Sequence, residues 1–116
     1  MYYTYVLQSL SDDKFYIGFT QNLKQRFEQH EKGLVASTKY RRPLKLIYYE
    51  ACLDRADAIK REKYFKTHHG KMYLGKRLKS YLLMSALCTR HFSQNIANMF
   101  FPKETPYLVG HLLQRT

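Results

Sequence analysis

The sequence predicts a small α/β domain in which a central three-stranded, mostly antiparallel sheet is flanked by helices. Three observations carry that expectation. Two aromatic and β-branched runs, residues 2–9 (YYTYVLQS) and 15–20 (FYIGFT), stand either side of the polar cluster Ser11-Asp12-Asp13-Lys14, the pattern of a β-hairpin. A third such run, LKLIYYEA at 44–51, supplies another strand. Segments with helical spacing lie between and after these runs.

Alternation along the hairpin places Tyr3, Tyr5 and Leu7 on one face of the first strand, and Tyr16, Gly18 and Thr20 on one face of the second. A helix is predicted over residues 22–32, with Thr20 or Asn22 as N-cap and Gly33 as its stop. Within it Leu23, Arg26, Phe27 and His30 follow the i, i+3, i+4, i+7 pattern and share a face. A basic, aromatic loop, Lys39-Tyr40-Arg41-Arg42-Pro43, leads into the third strand. A second helix is predicted over 54–67 with Asp54 as N-cap, and a third over 71–83, with His68-His69-Gly70 separating them. Beyond Ser85 another helix could run to about residue 100, before Pro102 and Pro106 interrupt it.

The 116 residues suffice for one domain and an appendage. A hydrophobic share of 45% excludes disorder along the whole chain. No apolar run reaches the roughly 18 residues of a membrane span, and the start MYYTYVLQSL lacks the features of a secretory signal. Cys52 and Cys88 form neither a CxxC pair nor a disulfide framework, so a reduced, cytoplasmic setting is expected. The net charge of +11 points to a polyanionic partner, nucleic acid first. A membrane surface would call for a basic amphipathic helix, and none stands out. Of the 20 Lys and Arg, 17 lie in residues 1–83. The division expected is therefore a nucleic-acid-handling domain at 1–83 and a C-terminal extension at 84–116, whose Leu87, Phe92, Ile96 and Phe100 could cap the domain or form a protein contact.

Two anomalies locate the chemistry. Arg26 and His30 share the face of Leu23 and Phe27 that should pack on the sheet. They either snorkel at the rim of that stripe or build an anion site. Glu62 shares a face with Ala58 and Phe65. It either pairs with Lys66 at i+4 or serves as a lone oxygen ligand for magnesium, which commonly takes one or two carboxylates and completes its shell with water and phosphate. Tyr5 and Tyr16 bring phenols to the same sheet, and Gly18 leaves room for a close approach by backbone or phosphate. The loop Lys39, Tyr40, Arg41 and Arg42 is either solvated or a contact for phosphate, sugar and base. His68 and His69, adjacent and without further ligands at metal spacing, read as a solvated helix end.

The ordered series Tyr3-Thr4-Tyr5, Phe15-Tyr16-Ile17-Gly18-Phe19-Thr20, Leu23-xx-Arg26-xxx-His30-xx-Gly33 and Arg61-Glu62-Lys63 resembles the GIY-YIG nuclease superfamily. Within it the chain looks most like the small stand-alone bacterial group related to the nuclease domain of the excision-repair machinery. The stretches Thr38–Pro43, Leu46–Glu50 and Arg77–Tyr81 are similar to that group as well, so the resemblance covers about residues 1–83. The first triad reads Tyr-Thr-Tyr and keeps only the final tyrosine. The resemblance implies that Tyr5, Tyr16 and Gly18 belong to the two triads, and that Arg26, His30 and Glu62 match the catalytic arginine, its neighbouring histidine and the metal-binding glutamate.

The expected activity is then that of a Mg2+-dependent (or Mn2+-dependent) endonuclease acting on DNA, in repair or processing, with RNA as the other substrate the charge admits. Tyr5, Tyr16, Arg26, His30 and Glu62 would be catalytic, Glu62 would hold the metal, and Gly18, Lys39, Tyr40, Arg41 and Arg42 would contact nucleic acid. Arg26 would supply positive charge to the phosphoryl oxygens. A tyrosine with pKa about 10 is ionised to only about one part in a thousand at pH 7, so as a base Tyr5 would need neighbouring cations. His30 could instead take the proton or hold the tyrosine hydroxyl. The alternative is a nucleic-acid-binding module of the same fold without cleavage.

Overall fold

A computed structural model describes residues 1–89, with side chains through Ser85. The chain divides into two compact units, Met1–Lys66 and Thr67–Thr116. The first holds the three-stranded antiparallel sheet anticipated from sequence: β1 (Tyr2–Ser9), β2 (Phe15–Thr20) and β3 (Leu44–Cys52), in the spatial order β2-β1-β3. Its helices are α1 (Leu23–Glu31) and α2 (Arg55–Phe65). A short 3-10 turn, Lys39–Arg41, interrupts the basic loop.

Local chemistry fixes these boundaries. The hairpin turn closes through Ser9, whose amide donates to the Lys14 carbonyl at 2.9 Å, and Asp13 takes the left-handed conformation (φ 62°) that short polar side chains tolerate. Asn22 caps α1 by accepting from the Gln25 amide at 3.1 Å. The helix ends in a Schellman arrangement: Gly33 at φ 76° donates to the His30 carbonyl, and Leu34 to that of Gln29. Arg42 completes that end. Its guanidinium donates to the last carbonyl of α1, Glu31, at 3.3 Å and to Lys39 at 3.0 Å, a cation placed at the negative pole of the helix.

The register bears out the alternation read from sequence. Tyr3, Tyr5 and Leu7 stand opposite Thr20, Gly18 and Tyr16. On this face α1 packs, burying Tyr5, Leu7 and Leu44 with Leu23, Phe27 and Leu46 against them. A register shift between Val6 and Leu7 lets both Tyr49 and Leu46 of β3 stand beside this face. The other face carries Thr4, Val6, Ile17 and Tyr48, and α2 lies on it. Thr4 Oγ1 donates to the Ala58 carbonyl at 2.7 Å, and Phe65 meets Tyr48 edge-on. Glu50 on the same face accepts both arms of the Arg61 fork, at 2.9 and 2.8 Å. Burial opposes ionisation of Glu50, but Arg61 and Tyr48 outweigh it and hold the carboxyl below its ordinary range.

In the second unit the structure departs from the sequence reading. His68, His69 and Gly70 do not separate two helices; they form the first turn of α3 (His68–Arg77), because Thr67 accepts from the Gly70 amide at 3.1 Å as N-cap. The single helix expected over 71–83 is broken at Leu78 (φ −107°, ψ 21°), and α4 runs over Lys79–Thr89. The boundary drawn at 83 thus falls within α4. The remainder of the expected extension, including Phe92, Ile96, Phe100 and the two prolines, lies outside the described residues. No helix among the described residues is long and apolar enough to cross a membrane.

Candidate active site

Tyr5 is the centre of the site because β1 is the central strand and its side chain points at α1. It is 1% exposed. Its ring lies directly over Gly18, where a Cβ would overlap the Tyr5 Cζ and Oη. The room that the glycine frees is therefore filled by this phenol. The Tyr5 hydroxyl meets Nε2 of His30 at 2.8 Å, and Nδ1 of the same imidazole meets the Thr38 hydroxyl at 2.7 Å. His30 and Thr38 are both fully buried. Tyr16 closes the imidazole's flank, edge-on at 5.1 Å between ring centroids.

Above this buried row lie partly exposed groups. Arg26, one turn before His30, interacts electrostatically with the Tyr5 and Tyr16 phenols, and its Nη1 donates to Gln29 at 3.1 Å. Tyr16 is half-buried beside it. His30 therefore does not snorkel, being fully buried with both ring nitrogens hydrogen-bonded, whereas Arg26 stays partly exposed at the rim.

Glu62 comes from α2, on the opposite face of the sheet, and its side chain is 23% exposed. Its carboxylate pairs with Lys66 at 3.7 Å, the i+4 alternative read from the sequence, and also acts electrostatically on Tyr5.

The electrostatics set protonation states. Burial raises the Tyr5 pKa. Arg26 pulls it down, Tyr16 and Glu62 push it further up, and the net result is a phenol that keeps its proton at neutral pH. The cations beside Tyr5 thus do not offset its burial. Burial and then the Arg26 charge drop His30 to about 4, so the imidazole is neutral at pH 7. Arg26 is held more firmly charged, chiefly by its hydrogen bond with Tyr5.

The basic loop divides into scaffold and surface. Arg41 donates to the Phe15 carbonyl at 3.1 Å and approaches Asp12 at 3.8 Å, which ties the loop to the hairpin. Arg42 caps α1 and packs its guanidinium on Gly33. Lys39 and Tyr40 project outward, Tyr40 at 87% exposure with the Lys39 ammonium 5.4 Å from its ring centroid. Thr38 was not foreseen as a site residue. Its link to His30 spans a turn of irregular backbone and leaves no periodic trace, although it opens the loop that resembles the family.

No group of three or more His, Cys, Asp or Glu converges among the described residues. A single half-buried carboxylate fits a magnesium ion that keeps most of its water and shares a phosphate, and does not fit a metal held by the protein alone. An open cleft of about 1150 Å³ runs along the other flank of α1, between Lys24, Phe27 and Glu31 and the β3 residues Leu46 and Tyr49. None of the five residues predicted to be catalytic lines it.

Residues 1–79 match the family described as the GIY-YIG catalytic domain. Among curated relatives, a UPF0213 protein of Limosilactobacillus reuteri is 47% identical over 68 residues, covering 56% of this chain and 70% of its own. One of Lacticaseibacillus paracasei is 42% identical over 73 residues, covering 60% and 81%. One of Staphylococcus aureus is 35% identical over 68 residues, covering 58% and 82%. No solved structure matches the chain.

Proposed function

The chain belongs to the GIY-YIG family, whose domain is of nuclease type, and from that premise we propose that it is a divalent-metal-dependent endonuclease hydrolysing phosphodiester bonds in DNA. The observation that carries this reading is the gathering of Tyr16 and His30 about Tyr5, with Arg26 one turn from His30 on the same helix. Repair or processing in the cytoplasm is the setting we propose, and residues 1–83 the part that does the work.

The chemistry follows from charge. As a phosphodiester is attacked, negative charge builds on its phosphoryl oxygens, and a preorganised guanidinium aimed there stabilises the transition state more than the ground state. Arg26 is that group, held in orientation by Gln29 and the two phenols. Bound on Glu62, a magnesium or manganese ion supplies Lewis-acid polarisation of the phosphate and stabilisation of the leaving oxygen. Tyr16, half-exposed beside Arg26, is placed to meet the substrate directly. Tyr5 lies beneath it. His30 is sealed from solvent and neutral, so it acts through Tyr5 and touches no substrate atom. Lys39 and Tyr40 give the phosphate and stacking contacts of a backbone-reading surface, Arg41 and Arg42 hold that surface in place, and Gly18 seats the phenol.

Supercoiled plasmid, branched DNA and structured RNA, incubated with magnesium and with chelator, test the proposal. Metal-dependent nicking that Arg26→Ala and Glu62→Gln abolish supports it. A wild type that binds these substrates but cuts none, or variants that cut as well as the parent, would favour the second reading: a binding module of the same fold. Burial of the Tyr5 hydroxyl is the observation on that side.

A further inference from the structure

Two hydrogen-bonded arrangements are compatible with the row Thr38–His30–Tyr5. In one, Nδ1 carries the imidazole hydrogen and donates to Thr38, while Tyr5 donates to Nε2. In the other, Thr38 donates to Nδ1, and Nε2–H donates to the Tyr5 oxygen. Each leaves one hydroxyl hydrogen at the end of the row without a partner inside it, on Thr38 in the first case and on Tyr5 in the second.

The two ends differ. Thr38 is fully buried, and Nδ1 of His30 is the one hydrogen-bonding partner of its hydroxyl among the described residues. A hydrogen left there has no acceptor, and an unmet buried donor is disfavoured by about tenfold or more. The Tyr5 end adjoins the partly exposed Tyr16 and Arg26, where a water or substrate oxygen can accept. The second arrangement therefore prevails.

From this we infer that Thr38 is a positioning residue: its hydroxyl donates to Nδ1 and locks His30 as the Nε2–H tautomer, so that the Tyr5 oxygen accepts from His30 while its own hydrogen points to the substrate side. The inference deepens the nuclease reading and rests on it for its consequence. In this tautomer His30 cannot take a proton from Tyr5, which removes it as general base. It becomes a donor that, with Arg26, favours the Tyr5 oxygen whenever that oxygen gains negative charge. Thr38 also joins the buried row to the loop bearing Lys39 and Tyr40, one and two residues on.

Long-range proton–nitrogen correlation NMR of the full chain labelled at histidine nitrogen, at pH 7.5, reads the tautomer directly, and the signals lost in His30→Gln identify His30. The expected result is protonated Nε2 and bare Nδ1 in the wild type and in Thr38→Ser. Thr38→Val should keep Nε2–H, because an Nδ1–H facing valine would be an unmet buried donor, and should move the Nδ1 resonance to that of a bare nitrogen accepting no hydrogen bond. In magnesium-dependent plasmid cleavage, Thr38→Val should lower kcat about tenfold with KM unchanged, and Thr38→Ser should restore it. A wild type with Nδ1–H, or a folded Thr38→Val whose Nδ1 resonance is unchanged from the parent's, overturns the inference whatever the cleavage result. If Thr38→Val fails to fold, the wild-type tautomer alone decides. A wild type that is Nε2–H and cuts nothing supports the role of Thr38 and retires the nuclease reading.

Discussion

Replacing Gly18 with alanine tests the seating of Tyr5 with a single methyl group. The Cβ would overlap Cζ and Oη of Tyr5 and lie 2.9 Å from Cε1. Neither side can yield easily. Gly18 is paired with Tyr5 across β1 and β2, while the phenol is 1% exposed and held at 2.8 Å by a fully buried His30. Overpacking of this kind costs about 1–3 kcal/mol, and the rigid surroundings place Gly18→Ala at the upper end. At roughly 4–8 °C per kcal/mol for a domain of this size, the midpoint should fall by about 10–24 °C. Nicking should drop on the order of a hundredfold, because displacing Tyr5 by about 1 Å also displaces the guanidinium resting on it. Thermal unfolding by circular dichroism measures the first quantity and the plasmid assay the second. Tyr5→Phe in the Gly18→Ala background removes one overlapping atom and should recover at least about 0.5 kcal/mol of the loss as a coupling energy. A Gly18→Ala protein melting within about 2 °C of the parent would refute the reasoning.

Three further outcomes follow from the geometry. His30 binds its proton more weakly folded (about 4) than unfolded (about 6.5), so the unfolded state holds more protons between those values. Stability is thus full above that window and should fall by about 2 kcal/mol from pH 7.5 to pH 5 in urea titrations, a loss absent in His30→Gln. Glu62→Gln should change metal-free stability by less than about 0.5 kcal/mol, since it removes only an i,i+4 pair with Lys66, while abolishing metal-dependent nicking. Arg42→Ala should cost about 1–2 kcal/mol by uncapping α1, whereas Lys39→Ala should leave the melting curve in place and reduce the salt slope of DNA binding by about 1.

Much of this was legible in the residues. Alternation placed Tyr5 with Tyr3 and Leu7 on one face of its strand and Gly18 with Tyr16 on one face of the next, and the 3.6-residue period placed Arg26 with His30, because both rest on local geometry that the chain cannot escape. The carboxylate of Glu62 was readable as misplaced on its helix, and its partner Lys66 was one of the two alternatives. What escaped depended on distant contacts or on one side chain's choice of partner. Arg41 and Arg42 have the composition of a phosphate-binding loop and spend their guanidinium groups on backbone carbonyls of β2 and α1. Gly70 looks like a breaker, yet Thr67 satisfies its amide and a helix begins there. Thr38 finds His30 only because Gly33 reverses the chain.

Thr4 and Tyr5 are consecutive residues of the middle strand, and one fastens α2 through Ala58 while the other fastens α1 through His30. The carboxylate one turn past Ala58 and the guanidinium one turn before His30 therefore sit on helices anchored to adjacent residues of one strand. Inserting or deleting one residue in β1 would exchange its inward and outward sides, detaching both anchors at once. A change of register in this strand would therefore reach the helix of Glu62 and the helix of Arg26 together.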